Sequence, residues 1–257
     1  MSATPAPAPR EEGFFIGWAR ALPAGLGGFL ARVAAAVLVG ASAAAVLLSA
    51  AVEDPGGGDA FWGEPPVTLR GVLTLRPYPV LHLPPDAANP AGRAVLLSGP
   101  GKTGVEADPA LEGRLVEASG PLLRRGSQEQ IQVDPGGFVA LEGAGAAPRA
   151  EPLGTWRITG EICDGKCWNG AMRPATGITH RACAAFCLVG GLPAVFYPTR
   201  PLPGTGAEVL VLGGPDGGPM PEALRDQVGL RITLDGQVER RGGLLVFLAD
   251  PASLRRP

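Results

Sequence analysis

Two stretches of the chain decide its fold: GRLVEASGPLLRRGSQEQIQVDP at residues 113–135 and GLRITLDGQVERRGGLLVFLADP at residues 229–251. Aligned without a gap, they share seven of 23 residues, including a central Arg-Arg-Gly and a final Asp-Pro. Apolar residues also occupy equivalent places, such as Val116 and Ile232. Shared turn residues at a fixed spacing are typical of a repeated hairpin, so we interpret the pair as two copies of one small β unit.

The match continues on the N-terminal side of each stretch. Residues 95–100 align with residues 210–215 at an offset of 115, and residues 67–73 align with residues 156–162 at an offset of 89. The offsets differ by 26 residues, so the second copy contains an insertion of that length, which holds all four cysteines. The predicted domains are a first β unit at 66–148 and a second at 153–252, with a Cys/His-rich helical insertion at 163–191.

Composition favours a mainly β fold. The 39 glycines and 28 prolines among 257 residues are too many for a helical bundle and favour short strands joined by turns. Each unit contains about five such strands, so we predict two tandem OB-like small β-barrels, because closure removes exposed sheet edges. A β-sandwich is the alternative architecture.

The charge balance excludes a nucleic-acid partner. The formal net charge is −2 and aromatic residues are only 5% of the chain, whereas an OB-type nucleic-acid site needs a basic groove and stacking aromatics. We interpret the two Arg-Arg pairs as solvated hairpin residues. The run Pro100-Gly101-Lys102-Thr103 lacks the first glycine of a phosphate-binding loop and is interpreted as a turn.

An uncharged stretch near the N-terminus predicts a membrane anchor. Residues 33–52, VAAAVLVGASAAAVLLSAAV, would span roughly 30 Å as a helix, which matches the hydrocarbon core of a bilayer. We therefore predict a transmembrane helix at 33–52, between a cytoplasmic segment at 1–32 and a linker at 53–65. A cleavable signal peptide, processed near Leu48-Ser49-Ala50, is the alternative, although the segment before the span is long for one.

Flanking charges predict the orientation of this anchor. Arg10, Arg20 and Arg32 precede the span and Glu53 and Asp54 follow it, and the positive side of a span stays in the cytoplasm. The chain is therefore predicted to be a single-pass protein of the inner (cytoplasmic) membrane. Its C-terminal domains would be extracytoplasmic, in the periplasm if the source is a Gram-negative bacterium, and residues 13–18 would lie in the membrane interface.

The insertion contains four cysteines and a histidine, which are candidate metal ligands. If Thr179 caps a short helix that Gly190-Gly191 ends, residues 180, 183 and 187 share one face of that helix. Imidazole and thiolate ligands on one face suit zinc or copper, and a nearby thioether would favour copper. The candidate metal ligands are Cys163, Cys167, Met172, His180, Cys183 and Cys187.

Two other interpretations of the cysteines remain open. An exported protein with an even number of cysteines usually oxidises them, so two disulfides that pair Cys163 and Cys167 with Cys183 and Cys187 are one alternative. A redox-active pair is the other. No Cys-x-x-Cys or Cys-x-x-Cys-His is present, so neither a thioredoxin-like site nor a covalent haem is expected.

The insertion resembles a box found in a family of uncharacterised bacterial membrane-anchored or exported proteins. The pattern is CxxxC from Cys163, GxMxP from Gly170, HRxCAxxC from His180 and GGxP from Gly190, and it covers about 35 of the 257 residues. The chain departs from the pattern at Ala175, where glycine commonly follows the proline, and in having Cys163 as an additional cysteine. The resemblance implies a membrane-anchored or exported protein and brings no activity with it.

These observations predict a membrane-anchored accessory protein rather than an enzyme. No nucleophile–base set or carboxylate pair has the local spacing that catalysis requires. The expected role is copper or zinc handling, or the support of a membrane redox complex or another exported protein. The alternative is a non-catalytic structural or interaction module whose four cysteines form two disulfides.

Overall fold

A computed structural model describes residue 22 and residues 24–51 and 65–256 of the chain. Three predicted segments lie wholly or largely outside the described residues. The interfacial segment at 13–18 lies wholly outside them, and so do most of the cytoplasmic segment at 1–32 and nearly all of the linker at 53–65. The described residues form one N-terminal helix and a separate β-rich body.

The helix α1 runs from Leu26 to Ala51 and is long and apolar enough to cross a membrane. None of its residues is buried. It begins seven residues before the predicted start at Val33, so Arg32 lies inside it and donates from Nε to the carbonyl oxygen of Gly28 at 3.1 Å. The predicted apolar helix is therefore present, and the charge at position 32 does not end it.

The β-rich body contains twelve strands and one further helix among the described residues. The strands are β1 Val67–Thr74, β2 Val80–Leu83, β3 Arg93–Ser98, β4 Arg114–Gly120, β5 Leu122–Arg125, β6 Gln128–Gln132, β7 Phe138–Ala144, β8 Ala150–Asp164, β9 Ala194–Pro198, β10 Leu210–Gly213, β11 Arg231–Arg241 and β12 Leu244–Arg255. The helix α2, Arg181–Val189, lies between β8 and β9.

The first seven strands form one sheet in the order β5-β6-β3-β2-β1-β4-β7. All neighbouring pairs are antiparallel except β3 and β6. The predicted closed barrel is not found here, because β5 and β7 are edges of the sheet. Pro121 alone separates β4 from β5, and proline has no backbone N–H with which to continue a ladder.

The last five strands pair in the order β10-β12-β11-β8-β9, and β9 in turn pairs with β10. Hydrogen bonding therefore passes through all five strands and returns to the first. The only parallel pair is β10 with β12, which corresponds to β3 with β6 in the first sheet.

The two sets of strands also match in detail. Each first strand has a glycine, Gly71 or Gly160, at a point where the neighbouring backbone comes very close. A Cβ atom there would lie 2.4 Å from the carbonyl oxygen of His82 or of Tyr197, respectively. These two matching glycines therefore occupy positions that exclude a side chain.

The largest hydrophobic core contains residues of both sets. Tyr78, Val80 and Leu96 of the first set are buried together with Phe196 and Phe247 of the second. A smaller core, around Leu73 and Leu97, belongs to the first set alone. The two β units thus share one interior, and the Cys/His insertion lies where they meet.

Candidate metal centre

The end of strand β8 and the turn that follows it hold two of the polar groups at this centre. Asp164 is the last residue of β8, and its Oδ1 accepts a hydrogen bond of 2.8 Å from the backbone N–H of Cys167. Cys167 begins a π-helical turn that ends at Ala171. Gly170 within this turn has φ 131°, a conformation that favours glycine, so the turn can form only with this residue.

The helix α2 supplies the remaining ligand candidates from one face. His180, and not Thr179 as predicted, is its N-cap residue, and Gly190 is its C-cap as expected. Cys183 and Cys187 follow three and seven residues after His180, so the three side chains lie on the same side of the helix. The predicted helix is present with these three residues on one face, and its N-cap lies one residue later than predicted.

Two groups of side chains lie close enough to hold a metal ion. The ligand atoms of Cys167, His180 and Cys183 lie within 4.8 Å of one another, and so do those of Asp164, Cys167 and Cys187. The Sγ atoms of Cys167 and Cys183 are 4.0 Å apart. All but Cys183 are buried, and Cys183 is half-buried, so the centre has one partly open side.

His180 has the contacts that a metal-binding histidine would need. Its Nε2 is 3.2 Å from Oδ2 of Asp164, and both side chains are almost fully buried. Its Nδ1 is also buried and has no hydrogen-bond partner. Metal-binding histidines usually donate one ring N–H to a carboxylate and bind the ion through the other nitrogen, so the donor set fits an ion.

A lysine of the first β unit contacts the sulfur atoms. Lys102 Nζ lies 2.8 Å from Sγ of Cys183 and 3.4 Å from Sγ of Cys187, and the hydrogen bond to Cys183 raises the pKa of Lys102. The hydrogen bond from Cys167, together with the charge of Lys102, lowers the pKa of the Cys187 thiol to about 7. That hydrogen bond, with burial, raises the pKa of Cys167. The centre therefore favours a thiolate near neutral pH.

A second lysine, which belongs to the second β unit, contacts the first β unit. Lys166, in the insertion, donates from Nζ to the carbonyl oxygens of Gly99 and Gly101 and to Oε1 of Gln132, at 2.8 to 2.9 Å. These bonds hold the loop that contains Lys102. Each unit therefore contributes one lysine to the other at this centre.

The turn that contains Cys167 is held from the first unit as well. The guanidinium of Arg125 lies 4.0 Å above the ring of Trp168, and Tyr197 packs against the same ring at 4.7 Å. The amide of Asn169 donates to Oε1 of Gln130 at 3.1 Å. Arg125 was interpreted as a solvated hairpin residue, and the structure instead places it on the turn next to the thiols.

Cys163 and Met172 are placed differently from the other predicted ligands. Cys163 is fully buried among Trp168, Val195 and Val209 and belongs to neither ligand group, and burial raises its pKa well above the usual value. Met172 is 42% exposed at the end of the turn. The structure therefore brings together four of the six predicted residues, which are Cys167, His180, Cys183 and Cys187.

The disulfide alternative does not agree with the structure. All four cysteines are free, and the sulfur atoms of Cys167 and Cys183 stand 4.0 Å apart, about twice the length of an S–S bond. The physical reason is that Cys183 and Cys187 lie on the same face of α2. Both side chains therefore approach Cys167, instead of each facing a separate cysteine.

Two polar residues of the centre were not predicted, Asp164 and Lys102. Asp164 lies in the same CDGKC run as two of the cysteines, so its position was available from the sequence. Lys102 is 81 residues from Cys183 along the chain, and spacing cannot identify such a contact. One signal does exist, because the chain contains only two lysines, Lys102 and Lys166.

Comparison with known proteins gives no further assignment. No family model, no curated protein and no solved structure matches this chain. The function is therefore argued from the geometry of the centre.

Proposed function

We propose that this chain is a membrane-anchored accessory protein whose Cys/His centre binds copper or zinc outside the cytoplasm. The observation that carries the proposal is that Cys167 belongs to two ligand groups, one with His180 and Cys183 and one with Asp164 and Cys187, while Nδ1 of His180 is buried without a hydrogen-bond partner. Thiolate and imidazole are the ligands that both ions prefer. The bound ion would serve storage or transfer, or support a membrane redox complex.

The surrounding fold is consistent with a binding role. We infer that both β units follow a strand order of the OB type, since three consecutive antiparallel strands and a parallel pair, β3 with β6 or β10 with β12, recur in each, although the first unit is open at Pro121. Helix α1 would anchor the chain in the inner membrane, with the β units in the periplasm or its equivalent. The resemblance of the Cys/His box to exported proteins supports this location, and an exported protein or membrane redox complex would be the partner.

The proposal is tested by metal titration of the full chain in detergent, reduced, treated with a chelator and kept under anaerobic conditions. We expect one Cu⁺ or one Zn²⁺ per chain, and Co²⁺ in the same site should give a near-ultraviolet thiolate charge-transfer band. Replacing Cys187 by serine should weaken binding by more than about a hundredfold, because a direct ligand is lost. The matched control is Cys163→Ser, which removes a buried thiol outside the ligand groups and should leave stoichiometry and affinity unchanged. Absence of binding, or equal losses in both variants, would refute the proposal.

A second variant tests the role assigned to His180. In Asp164→Asn the amide nitrogen can face Nε2 of His180, which then has to accept the hydrogen bond. The ring proton would move to Nδ1 and block the nitrogen that is otherwise free for the ion. We expect about a ten- to hundredfold loss of affinity with the number of free thiols unchanged. Glu161→Gln is the control, since Glu161 lies in the same strand and accepts from the backbone N–H of Gly177 instead.

A further inference from the structure

The chain uses lysine in only two places, and both lie at the metal centre. Its 22 lysine and arginine residues include only Lys102 and Lys166 as lysines. Arginine is a broad, planar cation, whereas lysine is a compact point charge on a flexible stem. The two positions that differ from the rest of the chain are therefore the ones that place a point charge beside buried thiols.

The ammonium groups of the two lysines make different contacts. Lys166 is buried and directs its ammonium to three oxygen atoms, so it holds the loop of the first unit. Lys102, on that loop, has an exposed stem, and its ammonium contacts the sulfur atoms of Cys183 and Cys187. Lys102 therefore contacts the sulfur ligands directly.

The charge left on the centre depends on the ion that it holds. Three thiolates and a neutral imidazole around Zn²⁺ have one net negative charge, whereas three thiolates around Cu⁺ have two. The attraction between the centre and a nearby cation is proportional to that charge. An ammonium at 2.8 Å from one sulfur atom therefore stabilises the copper form by about twice as much free energy as the zinc form.

We propose that Lys102 is a specificity-determining residue that biases the centre towards monovalent copper. The inference rests on the proposed function and specifies the ion for the same site. Lys102 acts through the thiolates and is not itself a ligand, since an ammonium has no free electron pair.

The test compares Cu⁺ and Zn²⁺ affinities of the full chain, measured by competition with a colorimetric chelator for each ion. Lys102→Gln keeps a hydrogen-bond donor and removes the charge. Because the stem is exposed to solvent, we expect a modest effect, with a larger loss for Cu⁺ than for Zn²⁺ and a fall of about fivefold in the ratio of the copper affinity to the zinc affinity. Lys102→Arg keeps the charge and should keep the ratio of the two affinities within about twofold. Arg70→Gln, which removes an exposed cation paired with Glu117, is the matched control.

Lys102→Leu gives the same comparison with a second uncharged side chain. Leucine has neither the charge nor the hydrogen-bond donor of lysine, so it should lower the copper-to-zinc ratio as Lys102→Gln does. An unchanged ratio in both measurements, including equal losses for the two ions, would overturn the role of Lys102 and leave the metal centre in place. A wild-type chain that binds neither ion would overturn the proposed function together with this inference.

Discussion

His82 is a buried histidine that stays neutral in the folded protein. Its Nε2 is 2.9 Å from Oγ1 of Thr74, and its Nδ1 is buried without a partner. Burial, and then the positive charge of Arg241, lower its pKa to about 4 from an ordinary 6.5. The folded protein therefore keeps this side chain neutral until the pH falls to about 4.

This residue predicts a loss of stability in mild acid. Between pH 6.5 and pH 4 the unfolded chain takes up a proton at His82 and the folded chain does not, so the folded state is fully favoured above pH 6.5 and loses stability as the pH falls. We expect the free energy of unfolding to fall by at most about 3 kcal/mol over this range. Urea unfolding of wild type and His82→Gln at pH 7 and pH 4.5 measures it. A pH dependence that is the same in both proteins would contradict the assignment.

At the level of single residues, the sequence predicts ligands that are close together in the chain. His180, Cys183 and Cys187 share a facet because helix geometry alone decides it. Lys102 could not be predicted, since a contact over 81 residues depends on how the two β units pack. The position of Cys163 also depends on packing, because the strand end that brings in Asp164 turns Cys163 into the core instead.

Helix α2 is positioned by a close contact at its C-terminal end. The backbone N–H of Gly104 donates to the carbonyl oxygen of Gly190 at 2.7 Å. A Cβ atom on Gly190 would lie 1.8 Å from the carbonyl oxygen of Lys102. The absence of a side chain here, and at Gly104, where a Cβ atom would lie 2.2 Å from the carbonyl oxygen of Gly191, lets the loop that contains Lys102 lie against the helix.

This contact predicts a steric effect without backbone strain. Gly190 has φ −72°, which alanine adopts readily, so Gly190→Ala should act only by pushing the loop away. We expect a loss of about 2 kcal/mol in the free energy of unfolding and a weaker metal affinity. Gly243→Ala is the control, because its Cβ would have only ordinary contacts at 3.8 Å. Chemical denaturation of both variants measures the effect, and equal stabilities would contradict it.

At the level of elements, the sequence predicts the repeated strands better than their pairing. The apolar alternation and the shared Arg-Arg-Gly turn identify β4 to β6 and β11 to β12. The added edge strand β7 was not predicted, because its sequence, FVALEGA, is short and ends among glycines and alanines. The interruption at Pro121 depends on a missing N–H, which the hydrophobic pattern does not show.

The β-rich body shares one interior across the two copies. Beyond the common core, the hydroxyl of Tyr78 accepts a hydrogen bond of 2.9 Å from the backbone N–H of Met220. Arg241 donates from Nη1 to the carbonyl oxygen of Arg76 at 2.6 Å. The copies therefore stabilise each other, as the lysine contacts at the metal centre also indicate.

A shared interior predicts one cooperative unfolding transition for the β-rich body. Heating should give coincident transitions in far-ultraviolet circular dichroism and in tryptophan fluorescence, since Trp168 lies between Arg125 and Tyr197 at the junction of the units. Arg125→Ala should lower that single midpoint by a few degrees and not divide it. Two separate transitions in the wild type would show that the copies unfold independently.

The exchange of lysines between the copies makes retention of the proposed ion depend on both of them. A product that ends after residue 148 has the loop and no thiols, whereas one that lacks residues 66–148 has thiols and no loop to cover them. Neither fragment would retain an ion well, so truncated chains would not withdraw scarce metal from their surroundings. Loading would thus wait for a polypeptide that holds both halves.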